Sequence, residues 1–242
     1  MNEGREMKKF TVCSAIFPLL AAVLLSAPVR ADVNAAEEAT MAAVDGLALV
    51  EKDSWGEIYA NPNVDWSVYT QIQLEDATVA FRRNWQRDQN SGDPFKVKTS
   101  DVENIKRQLS EQFRTVFTEE LTQNGGYVMS DAAGENVLMI KPAIVDLDIA
   151  APDTMRPYNS RQYTDSAGEM TLKLELYDSV TGDLLATASD RRISPYRGYP
   201  QWTTSVSNRA DSRRMLQQWA QSLRKRLDEA RTAAAPAAAS TN

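Results

Sequence analysis

The chain has 242 residues, with 27 basic and 33 acidic side chains, a net charge of −6, no histidine and a single cysteine. Without histidine there is no imidazole base, no Ser-His-Asp or Cys-His nucleophile, and no Cys/His zinc site. An acidic chain repels polyanions, so we expect no nucleic-acid partner. The missing residue types therefore limit the possible functions more than any motif in the sequence indicates one.

Residues 1–31 are organised like a cleavable secretory signal peptide. Two lysines provide a basic start, Phe17 to Leu25 provide a short apolar run, and Val29-Arg30-Ala31 provides small residues at a cleavage point. An uncleaved anchor would need about 20 consecutive apolar residues, and a proline and two serines interrupt this run. With translation starting at Met1 or at Met7, we expect cleavage near Ala31 and a periplasmic or secreted protein.

Cys13 lies inside the apolar run, so it is removed with the signal peptide. The mature chain then has no cysteine for lipid attachment or for a disulfide. No later segment is apolar enough to cross a bilayer, so we expect no stable membrane insertion after cleavage. We also expect no metal and no cofactor.

The mature chain is predicted to be one domain between two disordered segments. Residues 32–46 are rich in alanine and glutamate without an apolar period, which predicts a linker. Residues 232–242 contain Ala, Pro, Ser and Thr, which predicts a tail. Residues 47–231 are long enough for a single domain with its own core.

The first strand and the first helix of this domain follow in chain order. Val68 to Phe81 is a predicted strand whose alternation slips at Glu75-Asp76, which indicates a bulge. Ser100-Asp101-Val102-Glu103 has the form of a capping box, and helical spacing continues until Asn124-Gly125-Gly126. The apolar positions of this helix are Val102, Ile105, Leu109, Phe113, Val116 and Leu121.

Four more strands are predicted after this helix. Tyr127 to Ser130 is short, and Val137 to Ile149 is longer, with an irregular or edge position at Pro142. Met170 to Tyr177 alternates apolar and polar residues, which is typical of a half-buried antiparallel strand. A turn then leads to its hairpin partner, Leu184 to Arg192.

An amphipathic helix ends the domain, with Leu216, Trp219, Leu223, Leu227 and Ala230 on its apolar face. The predicted order is therefore β-α-β-β-β-β-α. This order predicts an α+β fold, with two amphipathic helices packed on a mostly antiparallel sheet of about five strands.

Several stretches together resemble one bacterial family. They include Ser67-Val68-Tyr69, Lys141-Pro142-Ala143-Ile144-Val145-Asp146-Leu147-Asp148, Ala151-Pro152-Asp153-Thr154-Met155 and Leu174-Glu175-Leu176-Tyr177-Asp178-Ser179-Val180-Thr181-Gly182. The chain resembles the domain of unknown function 3313 (DUF3313) family, whose members are exported and often lipoproteins. The resemblance runs from about Leu49 to Arg192 and more weakly through the last helix. It implies an envelope location and brings no catalytic residues, and this chain lacks the cysteine of the lipoprotein members at the cleavage site.

Two aromatic loops are the candidate binding surface. Ser194 to Ser207 and Arg156 to Ser166 combine tyrosine, tryptophan and arginine, the composition of protein-interface hot spots, and aromatic faces also stack on sugars. The candidate binding residues are Tyr196, Arg197, Tyr199, Trp202, Tyr158 and Tyr163. Alternatively, these rings cover the edge of the sheet and complete the core.

Asp146 and Asp148 lie two residues apart on a predicted strand, so both carboxylates are expected on one face. Such a pair could bind calcium or divide acid and base work as in glycosidases, with Glu169 or Glu175 as a second member. The alternation of an amphipathic strand also produces such pairs on its solvent face. We expect Asp146 and Asp148 to lie on this solvent face and to have no catalytic or metal-binding role. No catalytic residue is assigned.

Arg82, Arg83, Trp85 and Arg87 form a basic and aromatic cluster after the first strand. If this cluster binds a partner, the partner is an anionic glycan or an acidic protein surface. We expect instead a solvated strand end, with Trp85 in the core.

The sequence therefore favours an exported, non-catalytic binding or envelope-assembly module that acts through the two aromatic loops. Its partner is an unidentified envelope protein or glycan. One alternative is a carboxylate-based hydrolase acting on envelope glycan. Another is a structural protein that forms a homo-oligomer through an exposed sheet edge.

Overall fold

The computed structural model describes residues 46–52, 56–91, 96–149, 162–164, 168–194, 201–203 and 205–234. Only the backbone is described for residues 162–164, 201–203 and 205–208. The predicted signal peptide lies outside the described residues, and so does most of the predicted linker. The last helix continues into the predicted tail as far as Ala234.

The described part of the chain contains ten strands and three helices. The strands are β1 (Ala48–Lys52), β2 (Gly56–Ala60), β3 (Gln71–Leu74), β4 (Thr78–Phe81), β5 (Val128–Met129), β6 (Val137–Ile149), β7 (Gln162–Thr164), β8 (Gly168–Asp178), β9 (Leu184–Ile193) and β10 (Gln201–Thr203). The helices are α1 (Trp85–Gln89), α2 (Thr99–Thr122) and α3 (Ser205–Ala234).

Eight strands form one mixed sheet in the order β1-β2-β9-β8-β6-β3-β5, with β4 also paired to β6. β6 pairs antiparallel with β8 but parallel with β3 and β4, and β3 is parallel to β5. The predicted α+β class is confirmed, but the prediction of about five mostly antiparallel strands was wrong. The two predicted amphipathic helices are α2 and α3, and the short helix α1 is a third that was not predicted. The parallel pairs arise because α2 carries the chain from β4 across the sheet to β5, a crossover that returns it in the same direction.

The sequence gives no period-two signal for β1 and β2, which extend the sheet beyond β9. Every residue of β1 is exposed, and every residue of β2 is half-buried. Neither strand therefore alternates between core and solvent. β2 is instead held by its backbone pairing with β9, in which Ile58 lies opposite Ala188.

Pro142 lies inside β6 and not at an edge of the sheet, which corrects the sequence expectation. The Ile140 carbonyl accepts from the Glu75 amide (3.0 Å), so the nitrogen two residues later also faces the β3 side. Proline has no N–H to continue this parallel ladder. β3 therefore ends at Leu74, and pairing resumes where Thr78 of β4 lies opposite Ala143. The slip expected near Glu75 is thus a break between two strands.

The two long helices cover one face of the sheet and form the core with it. The inward side chains of β8 are buried, and Lys173 and Glu175 on its other face are exposed, as its alternation predicts. In α2, the rings of Phe113 and Phe117 stack at 3.9 Å inside this core. The buried residues on α3 are Leu216, Trp219, Ala220, Leu223 and Leu227, together with Asp211.

The helix boundaries differ from the predicted ones. α2 starts at Thr99, because the Asp101 carboxylate accepts from the Lys98 backbone N–H (2.9 Å) and caps the first turn. α3 begins at Ser205, well before the apolar repeat that predicted it. The short helix α1 follows Asn84, whose φ is +65°, and has too few residues for a periodic signal.

Candidate functional site

Three strands of the sheet end or begin together at one end of the molecule. Ile149, the last residue of β6, lies opposite Gly168, the first residue of β8. Glu169 lies opposite Ile193, the last residue of β9. We call this end of the sheet the ribbon end.

The two loops that leave the ribbon end pair with each other. β7 and β10 form a separate antiparallel ribbon, in which Tyr163 lies opposite Trp202. β7 lies between β6 and β8 in the chain, and β10 lies between β9 and α3. One strand from each aromatic loop is therefore paired with a strand from the other. Tyr158, Tyr196, Arg197 and Tyr199 lie outside the described residues.

The entry into β8 requires a glycine. Gly168 has a φ of +138°, and a Cβ built on it would lie 2.0 Å from the Asp148 carbonyl oxygen. Only a residue without a side chain fits both the conformation and the space. The first residue of β8 therefore lies closely against the end of β6.

Asp146 and Asp148 do not form the regular same-face pair expected from the sequence. Two residues of β6, Asp146 and Leu147, stand between the positions opposite Thr171 and Glu169, where β8 has only one. This is a β-bulge, and Asp146 takes the left-handed φ of +52° within it. The bulge shifts the alternation of β6, so that Leu147 is buried and Asp146 is exposed.

Three of the four candidate acids are engaged by neighbouring side chains. Asp148 accepts from Arg82 Nε (2.5 Å), and Glu169 pairs with Arg191 across the β8–β9 ladder. The Tyr177 hydroxyl donates to Glu175 (2.8 Å). No group of three or more Asp, Glu, Cys or His side chains that could hold a metal occurs within the described residues.

Two members of the basic and aromatic cluster after β4, Arg82 and Trp85, are built into the fold, and Arg83 and Arg87 are exposed. Trp85 is buried, stacks on Phe81 at 4.0 Å and donates its indole N–H to the Ile149 carbonyl (3.2 Å). Arg82 bridges Asp148 and Asp88, at 2.5 and 3.0 Å. The expectation of Trp85 in the core is confirmed, and Arg82 belongs to a network of ion pairs at the ribbon end.

A second polar network, between β9 and α3, was not anticipated. Arg192 Nε and Nη2 donate to Asp190 Oδ2 (3.1 and 3.0 Å), and Trp219 Nε1 donates to the same oxygen (2.8 Å). Arg192 Nη1 also donates to Gln218 Oε1 (2.5 Å). Asp190 lies opposite the buried Leu172 of β8, so the network enters the interface between sheet and helices. The sequence signal is two charged residues two positions apart on a predicted strand, and the register with β8 shows that both lie on the inward row.

Cavities lie on both sides of this network. On the β2 side, a cavity of about 170 Å³ has an apolar floor that includes Ile58 and Leu172. Towards the ribbon end lies a cleft of about 300 Å³, which we call the β9–α3 cleft. Its lining residues are Asp190, Arg191, Arg192, Ile193, Asp211, Arg214, Met215 and Gln218.

Asp211 is the most deeply buried charged group of this cleft. Its side chain is 3% exposed, and Arg214, one turn further along α3, forms an ion pair with it in which Nη2 lies 3.0 Å from Asp211 Oδ1. A buried carboxylate is destabilising unless it is paired and hydrogen-bonded. The ion pair with Arg214 therefore compensates the Asp211 charge at the α3 wall of the cleft.

Comparison with known proteins gives one family. A family model described as "Protein of unknown function (DUF3313)" matches residues 37–223. No curated protein matches the chain. None of the described helices is long and apolar enough to span a membrane.

Solved structures show weak likenesses. A PelC dodecamer structure from Paraburkholderia phytofirmans is 7% identical with a TM-score of 0.36, covering 70% of this chain and 97% of that one. Protein XCC0632 from Xanthomonas campestris is 12% identical with a TM-score of 0.36, covering 78% and 96%. A protein described as a neuraminyllactose-binding hemagglutinin homolog from Helicobacter pylori is 9% identical with a TM-score of 0.33, covering 68% and 91%. Likenesses this weak carry no argument about this chain.

Proposed function

The chain belongs to the DUF3313 family of proteins of unknown function, and from that premise we propose that it is a non-catalytic binding or assembly module of the cell envelope. Its binding surface is the ribbon of β7 and β10 with the two loops that contain it. The envelope location follows from the signal-like residues 1–31, and the partner is an envelope protein or a glycan.

The register of the ribbon is the observation that carries this proposal. Tyr163 and Trp202 lie directly opposite each other on paired strands. Side chains in such positions share one face of a ribbon, with Cβ atoms about 5 Å apart. Two aromatic residues at opposite register positions, flanked in the sequence by further Tyr and Arg residues, are typical of the anchors in a binding surface.

The carboxylates support binding over hydrolysis. A glycosidase needs two carboxyl groups about 5 to 9.5 Å apart across a substrate cleft. Asp148 and Glu169 are occupied by arginine partners, and Asp146 is an exposed bulge residue. None of the four candidate acids lines the β9–α3 cleft or the cavity on its β2 side.

Self-association is a second candidate, favoured by the exposed strand β1. This strand lies at one end of the sheet order and exposes Leu49 and Val50 by 53% and 62%. Apolar edge strands pair readily with another chain. Sizing by light scattering tests this candidate: a monomer at micromolar concentration would remove it, and a dimer that Val50→Lys dissociates would support it.

Photo-crosslinking in living cells tests the ribbon. A photoreactive amino acid is placed at position 163, at position 202, or at control position 180. Val180 is an exposed apolar residue of the β8–β9 turn, at the opposite end of the sheet. We expect the same product from positions 163 and 202 and none from 180. Absence of a product from both ribbon positions, or an equal product from position 180, would contradict the proposal.

A further inference from the structure

Charges in the β9–α3 cleft compensate one another in pairs. Three guanidinium groups line the cleft, and each has a carboxylate partner. The pairs are Arg191–Glu169, Arg192–Asp190 and Arg214–Asp211. Asp190 and Asp211 line the cleft beside the three cations, and Glu169 compensates Arg191 from outside the lining. For a multiply charged anion the attraction and the repulsion therefore largely cancel. The cleft therefore suits a neutral ligand.

The same pairs leave donors and acceptors side by side. A guanidinium has five N–H groups, and in Arg214 the ion pair with Asp211 is made through Nη2. All three bonds that Asp190 accepts from described residues go to Oδ2, which leaves Oδ1 as an acceptor. A ligand group that donates and accepts at once satisfies both neighbours, and the hydroxyl is such a group. The lining thus matches a polyhydroxylated ligand.

The volume of the cleft and its position near the ribbon limit the class of ligand further. A volume of about 300 Å³ lies at the lower end of the range for small-ligand pockets. β9 forms one wall and α3 the other, and β10 lies between β9 and α3 in the chain. The strand of the ribbon that contains Trp202 is therefore connected along the chain to both walls of the cleft. A ligand with hydroxyl groups in the cleft and a weakly polar face towards the ribbon is a saccharide.

We propose that the β9–α3 cleft is a subsite for one sugar unit of a neutral glycan. Arg192, Arg214 and Asp190 hydrogen-bond its hydroxyl groups. The aromatic side chains of the ribbon stack on the adjoining sugar, and in this second contact the inference rests on the proposed function of the ribbon. The cavity on the β2 side of Asp190 is not part of the subsite.

Titration of the mature chain with oligosaccharides tests the subsite. The neutral probes are maltotriose, cellotriose and chitotriose, and the acidic probe is trigalacturonate. Calorimetry measures the binding of each probe. The variant is Arg214→Gln, with Arg213→Gln as its matched control. Arg213 is the preceding residue of α3 but pairs with Glu119 of α2, away from the cleft. Thermal melting followed by circular dichroism checks that both variants fold.

We expect at least one neutral trisaccharide to bind. Arg214→Gln should weaken this binding about tenfold, which corresponds to the loss of one charged hydrogen bond. Arg213→Gln should leave it unchanged. The proposal is overturned if no neutral probe binds, if trigalacturonate binds more tightly than all of them, or if the two variants behave alike.

Trp202→Ser separates the subsite from the ribbon. If Trp202→Ser still binds sugar and Arg214→Gln does not, the sugar subsite in the cleft is supported and the stacking role of the ribbon is contradicted. If Trp202→Ser removes the crosslinked product in cells while Arg214→Gln binds sugar normally, the binding function of the ribbon is supported and the sugar subsite is contradicted.

Discussion

Tyr163 and Trp202 are register partners in the antiparallel ribbon of β7 and β10. They are 39 positions apart in the sequence, and the hairpin of β8 and β9 lies between them. The pairing joins the backbones of β7 and β10, which belong to two separate loops. This ribbon is the basis of the proposed binding function.

The bulge at Asp146 gives a first test of the local structure. A left-handed φ costs a residue with a Cβ about 1–2 kcal/mol, and aspartate tolerates it better than alanine does. Because φ at Asp146 is +52°, we expect Asp146→Gly to raise the free energy of unfolding by about 0.5 kcal/mol. Asp146→Ala should lower it by about 1 kcal/mol. Urea denaturation measures both changes, and a more stable alanine variant would contradict the bulge.

Arg224 joins the two long helices and should contribute strongly to stability. Its Nη1 donates to the Leu121 carbonyl at the end of α2 (2.9 Å), its Nε pairs with Asp228 (2.7 Å), and its guanidinium lies over the Tyr127 ring. A cation at a helix C-terminus satisfies carbonyls that have no partner in the helix. We expect Arg224→Ala to lower the free energy of unfolding by about 2 kcal/mol in urea denaturation.

Lys225→Ala is the control for Arg224. Lys225 is the next residue of α3, is 75% exposed and pairs only distantly with Glu229 (3.7 Å). A change within about 0.5 kcal/mol is expected for such a surface position. Equal effects of the two substitutions would mean that Arg224 does not hold α2 and α3 together.

Asp178 should make stability depend on acid pH. The Thr181 backbone N–H, the Tyr69 hydroxyl and the Val180 N–H donate to its carboxylate and hold its pKa below the ordinary value of 3.8. A lowered pKa stabilises the fold above the unfolded-state pKa, and this contribution is lost as pH falls through the folded-state pKa.

Asp178→Asn removes this contribution. We expect the variant to be less stable than the natural chain by about 1–2 kcal/mol at neutral pH. The difference should shrink as the pH of urea denaturation experiments is lowered through the pKa of the folded carboxyl. A difference that stays constant over this range would show that the Asp178 charge is not involved.

Much of the sheet could be predicted because its inner strands bury one face each. The bounds of β6 agree with the prediction, and β8 buries Met170 and Leu174 on its inward face as its alternation indicates. Parallel pairing could not be predicted in the same way. Parallel pairing depends on where α2 places β5 and β6 in the sheet, which is a long-range relation. The alternating pattern of a strand is local and does not indicate which other strand pairs with it.

Part of the candidate site could also be predicted from composition. The aromatic loops were identified by their tyrosine, tryptophan and arginine residues, and Tyr163 and Trp202 are now placed opposite each other. The β9–α3 cleft was missed because Asp190 and Arg192 look like the polar end of a hairpin strand. Their inward direction follows from the register with β8, which the sequence does not contain.

Chemical modification of tryptophan tests the proposed binding surface most directly. Trp85 and Trp219 are 1% and 3% exposed and act as internal controls within the same chain. Oxidative footprinting of the purified mature protein, read out by mass spectrometry, compares the reaction rates of the three rings. Our account predicts that Trp202 reacts much faster than both controls and becomes protected in the envelope fraction. Reaction of Trp202 as slow as that of Trp85 and Trp219 would place its ring in the core and contradict a binding surface on the ribbon.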